Sequence, residues 1–197
     1  ETVGQILMVF STPGGSVYGM NEWADAINSA KAKKPVIGVA QSLAASAGYW
    51  ALSQCTEAYC SPSGEVGSIG VYSAHEDMSK ALEMAGISIE LFSAGKYKTE
   101  GHPFGPMSDE AKAYQVERAN DYYGMFTKAV AKGRGVPIDA VRGGMGEGRV
   151  LGAQQALAAN MIDGVMSVDE VLSKMQRSAR TASRSAMASH RAYLDAQ

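Results

Sequence analysis

Short apolar runs, glycine-rich turns and amphipathic stretches succeed one another along this chain, and their order predicts its elements. Ile6-Leu7-Met8-Val9-Phe10, entered from Gln5, reads as a core strand. It runs into Ser11-Thr12-Pro13-Gly14-Gly15-Ser16, after which Val17, Met20, Trp23, Ala24 and Ile27 recur at helical spacing up to Lys31. A second unit repeats the plan: a strand over 35–41, the small-residue run Ser42-Leu43-Ala44-Ala45-Ser46, and an apolar helix from Ser46 to Cys55. Two strand-turn-helix units in succession predict an α/β fold with a parallel sheet and crossover helices. Their turns should open on the same edge, beyond the carboxyl ends of the strands, which brings Gly14 and Gly15 toward Ser46.

A short strand over Glu57–Cys60 and the loop Ser61–Ser68 lead to a predicted strand near Ile69–Ser73. Gly64, Gly67 and Gly70 mark close backbone approach there, for a tight connection or for binding. Glu76–Ala85 reads as a helix stopped by Gly86, Ile87–Phe92 as a further strand, and Ser93–His102 as a polar, basic loop. Ser108 is placed to cap a helix reaching Lys132, with Tyr122, Tyr123, Phe126, Ala129 and Val130 as an apolar stripe for the core or a subunit interface. A short helix near Asp139–Arg142, a flexible turn over Gly143–Arg149, a helix at 152–160, a strand at 161–166 and a Ser167–Glu170 capping box opening another helix complete a domain of residues 1–175. Residues 176–197 turn small, polar and basic, as a linker or a tail helix outside the core.

Composition narrows the partners more than the fold. With 46% hydrophobic and 19% charged residues in 197 positions, the chain suits one sizeable globular core. A net charge of -2 gives no global reason to expect nucleic acid or an anionic membrane, and a solvated linker is the better account of the basic tail. No stretch approaches the roughly 18 consecutive apolar residues of a membrane span, and no leader pattern opens the chain, so a soluble protein is expected. The opening on a core strand leaves room for upstream strands or an anchor. Cys55 and Cys60, without clustered histidines, are poor zinc ligands and read as buried free thiols of a reduced cytoplasm. No metal or cofactor is implied.

The candidate chemistry centres on Ser46. A hydroxyl at a helix mouth between Ala45 and Ala47 can meet a substrate while backbone N–H groups point the same way, as acyl transfer requires. Small residues at such a place also serve close packing, and on this stretch alone packing is the commoner reason. The Pro13-Gly14-Gly15 turn offers N–H groups to a developing oxyanion and lacks the Gly-Lys-Ser/Thr of a phosphate loop. A nucleophilic serine needs a base. His75 begins a helix, His190 lies in the tail, and His102 leaves a Ser-His-acid triad open. The Gly-x-Ser-x-Gly elbow is absent, with Ala44 and Gly48 at its outer positions. Lys96 and Lys98 are the other option. A lysine of ordinary pKa is neutral only about once in a few thousand at pH 7, so such a base must be desolvated or crowded by cations. Two apart in an extended loop, the two lysines face the same side, and spacing does not choose between them.

In their order and spacing, Ser11-Thr12-Pro13-Gly14-Gly15, Ala44-Ala45-Ser46-Ala47-Gly48-Tyr49-Trp50, Gly67-Ser68-Ile69-Gly70 and Gly95-Lys96-Tyr97-Lys98 resemble the signal peptide peptidase A family of serine/lysine peptidases. More narrowly, they resemble its bacteriophage branch, which processes scaffold and capsid proteins in head assembly. The likeness covers about residues 5–172. It implies a Clp protease/crotonase-like fold, a twisted parallel sheet with flanking helices that commonly assembles into rings. It also implies Ser46 as nucleophile, Lys98 as general base, Ser68 orienting the lysine amine, and an oxyanion hole of Gly14 or Gly15 with Ala47. An extended polypeptide substrate would lie beside Gly64, Val66, Gly67 and Ile69 and add a strand. The implied partners are scaffold or capsid polypeptides and further copies of the chain, in the host cytoplasm or prohead, with no cofactor. Two positions depart from the family: Ser-Thr stands where Asn or Asp followed by Ser is more usual before Pro-Gly-Gly, and Ala47 replaces a common glycine. Neither removes a reacting group. A signal-peptide-degrading enzyme, a catalytically silent scaffolding subunit and a crotonase-like acyl-CoA enzyme are the alternatives on the same fold.

Overall fold

The computed structural model describes residues 3–195. The first apolar run forms β1 (Ile6–Thr12), and the helical pattern after the Pro-Gly-Gly turn forms α1 (Met20–Lys31), which buries Met20, Ala24 and Ile27. β2 (Val36–Ala45) outlasts the apolar run that predicts it, because Ala44 and Ala45 stay extended and buried. α2 (Ala47–Leu52) follows directly, with Ser46 as its N-cap. Then come β3 (Glu57–Cys60), β4 (Glu65–Gly67), α3 (Ser79–Met84), α4 (Asp109–Arg134), α5 (Ile138–Gly144), β5 (Val150–Gly152), α6 (Ala153–Ala158), β6 (Gly164–Val165) and α7 (Val168–Asp195). The chain divides into two compact units, Glu1–Gly70 with Met125–Gln197, and Val71–Gly124.

In the first unit β2 is the hub of a mostly parallel sheet. Ile37 pairs with Leu7 and Glu57, while Ala44 pairs with Thr12 and Val66. β1 therefore follows one flank of β2, and β3 and β4 succeed each other along the other. β6 extends the sheet beyond β3 in parallel, and β5 runs antiparallel to β4. Ile37, Val39, Tyr59 and Val171 form a buried cluster against which Leu7, Met166, Val168 and Met175 pack, so the first turns of α7 belong to the core. Trp50 of α2 stacks on Phe126 of α4 with ring centroids 4.6 Å apart.

Several polar side chains inside this unit are paired, although among the described residues the buried Trp50 indole Nε1 has no hydrogen-bond partner. Gln54 accepts from Asn28 at 3.1 Å and donates to the Ala129 carbonyl at 3.0 Å, tying α1 and α4 to the end of α2. Arg134 grips Asp163 with two N–H···O bonds of 3.0 and 2.8 Å, and the same carboxylate accepts the Ala58 amide at 2.7 Å. Cys55 and Cys60 are buried and free, as expected. Burial pushes the Cys55 thiol up to about 12. Burial, with the Glu65 charge behind it, takes Cys60 up to about 11. Neither is a thiolate nucleophile at neutral pH.

The expected strands near Ile69–Ser73 and Ile87–Phe92 do not form, and the helix expected over Glu76–Ala85 is confined to Ser79–Met84. A strand exists only by pairing, and the alternation Ile87, Ile89, Leu91 meets no ladder partner among the described residues; all three are exposed. β5 lies between the flexible turn expected over Gly143–Arg149 and the helix expected at 152–160, taking Gly152 from the start of that helix. The expected capping box is made, with Ser167 N–H and Oγ donating to Glu170 at 2.8 Å. α7 continues unbroken across residues 175 and 176.

Candidate active site

The register of three strands brings three turns to one level. Thr12 lies opposite Ala44, Ala44 opposite Val66, and Ala45 opposite Gly67. The residues that follow, Pro13-Gly14, Ser46 and Ser68, leave the carboxyl ends of β1, β2 and β4 side by side. Ser46 and Ser68 both take positive φ, 52° and 54°, a conformation that costs a non-glycine residue on the order of 1 kcal/mol or more. Backbone bonds hold them there. The Ser46 N–H donates to the Gly67 carbonyl at 2.8 Å, and its carbonyl accepts from Trp50 at 2.9 Å. The Ser68 N–H donates to the Arg149 carbonyl at 2.8 Å. Both serines are half-buried, and among the described residues neither hydroxyl has a hydrogen-bond partner.

The glycine turn lies against the nucleophile candidate. Gly14 has φ +109°, and a Cβ there would stand 2.6 Å from Ser46 Cβ and 3.1 Å from Ser46 Oγ. Only glycine lets the two backbones come this close. Ala47 is the first residue of α2, so its N–H has no acceptor within the helix. The Gly14 N–H is engaged by Thr12 Oγ1 at 3.1 Å, whereas the Gly15 N–H has no partner among the described residues. Thr12 is a functional candidate that residue types alone do not single out. Its signal is a threonine two places before a turn glycine, the spacing at which a hydroxyl can accept a backbone N–H.

The proposed substrate-binding segment is only partly open. Glu65–Gly67 is paired on both edges, with β2 on one side and β5 on the other, and the Gly64 N–H bonds Ser61. Gly64, Val66 and Gly67 therefore have committed backbones. Ile69, with its side chain buried, is the first of the segment whose backbone lies outside the ladder.

The candidate bases all fall in the second unit, except His190, whose side chain lies outside the described residues. Within that unit they differ. The Lys96 ammonium donates to the Tyr97 hydroxyl at 2.5 Å and lies 3.6 Å from Glu110; that hydrogen bond, then the Glu110 charge, raises its pKa, which suits an ammonium and not a base. His102 Nδ1 accepts the Phe104 N–H at 3.0 Å. His75 Nε2 donates to the Gly105 carbonyl at 3.2 Å. Lys98 is exposed on the turn after Gly95, and among the described residues its ammonium has no partner.

A mostly parallel α/β sheet with a free serine hydroxyl at a strained strand-to-helix turn, backed by a glycine turn, defines a class of fold and site that is compatible with a serine nucleophile. Comparison with known families narrows this class. The chain belongs to peptidase family S49, whose profile matches residues 28–182. It is 29% identical over 177 residues to a putative protease, MJ0651, of Methanocaldococcus jannaschii, covering 90% of this chain and 57% of that one. It is 29% identical over 174 residues to capsid assembly protease C of Escherichia phage lambda, covering 88% and 39%. A putative signal peptide peptidase SppA of Enterococcus faecium is 27% identical over 180 residues, covering 90% and 52%. The chain thus spans between about two fifths and three fifths of the length of these relatives. Among the described residues no helix is long and apolar enough to cross a membrane, and no cluster of side chains could hold a metal ion.

Proposed function

We propose that this protein is a serine endopeptidase of Clp protease/crotonase-like fold that uses Ser46 and Lys98 to cut scaffold or capsid polypeptides. The observation that carries the reading is Ser46 itself: a half-buried serine with positive φ and a free hydroxyl, with Gly14 packed against it. Ser46 Oγ attacks the peptide carbonyl while Lys98 Nζ, exposed in the substrate-free chain and so dependent on bound substrate to desolvate it, takes its proton. The tetrahedral oxyanion is held by the Ala47 N–H and an N–H of the Gly14-Gly15 turn. Lys98 returns the proton to the departing amine; the Lys98 amine then takes a proton from water, whose oxygen attacks the acyl carbon, and passes that proton to Ser46 Oγ as the acyl–oxygen bond breaks. Ser68 orients the lysine amine. Lys98 is preferred to Lys96 on the family motif and because Lys96 is engaged by Tyr97 and Glu110. The substrate class rests on the phage relative's name, and copies of this chain are its other partner.

An extended substrate pairs its backbone from Ile69 onward, where β5 no longer occupies the edge. Residues 1–175 carry the chemistry, and the tail is an appendage. The test is cleavage of a scaffold polypeptide by purified variants. Ser46→Ala and Lys98→Ala should each lower turnover by a factor of about 10³ or more. Lys96→Ala and His102→Ala should keep it. Full activity in Lys98→Ala together with loss in His102→Ala would replace the lysine by a histidine base.

A further inference from the structure

The turn that faces Ser46 is not held by its glycines alone. Thr12, the last residue of β1, puts its two γ substituents to different uses. Its hydroxyl accepts the Gly14 N–H at 3.1 Å. Its methyl fills the space over Gly48 in the first turn of α2, where a Cβ on Gly48 would stand 2.5 Å from Thr12 Cγ2. Gly14 in turn lies against Ser46, and Ala47 stands between Ser46 and Gly48. One side chain therefore sets the glycine turn relative to both the nucleophile and the start of α2.

We propose that Thr12 is the positioning residue of the oxyanion turn, and that by engaging the Gly14 N–H it leaves the Gly15 N–H as the turn's donor to the oxyanion. This rests on the peptidase reading above and goes beyond it by separating Gly15 from Gly14. A hydroxyl accepting an N–H two residues on closes a side-chain-mimicked turn, which fixes the direction of the next peptide plane. The methyl opposes rotation of the turn as a unit, because it sits against Gly48 where a Cβ on that residue would displace it. Catalysis is sensitive to such placement: misplacing a reacting group by about 1 Å can cost on the order of a hundredfold.

The test uses four variants of the full chain. Thr12→Val keeps the methyl and removes the acceptor. It should lower kcat by roughly ten- to a hundredfold with KM within about twofold, since the lost interaction serves the transition state and not substrate binding. Thr12→Ser keeps the acceptor and should retain most activity. Gly48→Ala should be impaired by the clash with the Thr12 methyl, and Thr12→Ser in the same chain should restore it, because serine lacks that methyl. Amide hydrogen exchange adds a readout independent of turnover: the Gly14 N–H should exchange faster in Thr12→Val and be unchanged in Thr12→Ser. Wild-type kcat in Thr12→Val, or no rescue of Gly48→Ala by Thr12→Ser, overturns the proposal while the wild type still cleaves. A wild type that cleaves nothing overturns the peptidase reading, and the positioning role with it.

Discussion

Ser46 keeps its φ of 52° and ψ of −122° because Gly67 takes its N–H and Trp50 bonds its carbonyl. A glycine could hold the same dihedrals without strain. Ser46→Gly should therefore raise stability by about 1 kcal/mol, a Tm increase of a few degrees, while abolishing cleavage. Thermal unfolding followed beside an activity assay checks it, and a destabilised Ser46→Gly would show that the backbone there is unstrained. The neighbouring position behaves oppositely. Gly14→Ala would force a Cβ to 2.6 Å from Ser46 Cβ and 3.0 Å from the Ala45 carbonyl, at a φ of +109°. It should lose activity and about 2 kcal/mol of stability, measured by urea unfolding.

Elements are held by their polar ties as much as by the core. Arg134 in the last turn of α4, its side chain only 8% exposed, binds Asp163 just before β6, and Asp163 also accepts the Ala58 N–H of β3. Burial works to raise the Asp163 carboxyl, but the Arg134 and Ala58 hydrogen bonds outweigh it and hold the group below its ordinary value. The sign follows: a carboxyl lowered in the folded state adds stability above its unfolded pKa, and loses it as pH falls through the folded one. Asp163→Asn should cost about 2 kcal/mol at pH 7. It should also flatten the acid limb of a stability profile from about pH 4 downward. An unchanged acid limb would mean the pair contributes nothing.

The strand-turn-helix units and the capping box were legible at this scale because each is set by neighbours in sequence. β5 was not. It has three residues, follows a run of glycines, and exists through its pairing with Glu65–Gly67. Ile87–Phe92 misleads in the opposite sense: its alternation is that of a strand, but alternation supplies no partner. Ser46 and the Pro-Gly-Gly turn were readable from residue types and the family motif. The Thr12–Gly14–Gly48 contacts were not, since they depend on the register of β1 against β2 and on how close α2 starts to that edge.

For the whole molecule, α7 joins a core part to an appendage. Val171 is buried, and Lys174 binds Glu57 and Tyr59 on β3. From Gln176 onward every side chain described is exposed. Ending the chain after residue 177 should leave Tm within a few degrees, while ending it after residue 167 should abolish cooperative unfolding, because Val168, Val171 and Met175 would no longer cover Ile37 and Tyr59. Calorimetry of the two truncations separates these outcomes.

The proposed roles of Ser46 as nucleophile and Lys98 as its base stand or fall together. The direct measurement is covalent labelling by a fluorophosphonate, in which a serine Oγ–P bond forms and fluoride leaves, followed by peptide mapping of the wild type and of Lys98→Ala. One adduct is expected, on Ser46, forming faster toward alkaline pH in the wild type and at least roughly a hundredfold more slowly in Lys98→Ala. An adduct on another serine, or equal labelling of Ser46 in both proteins, would contradict it.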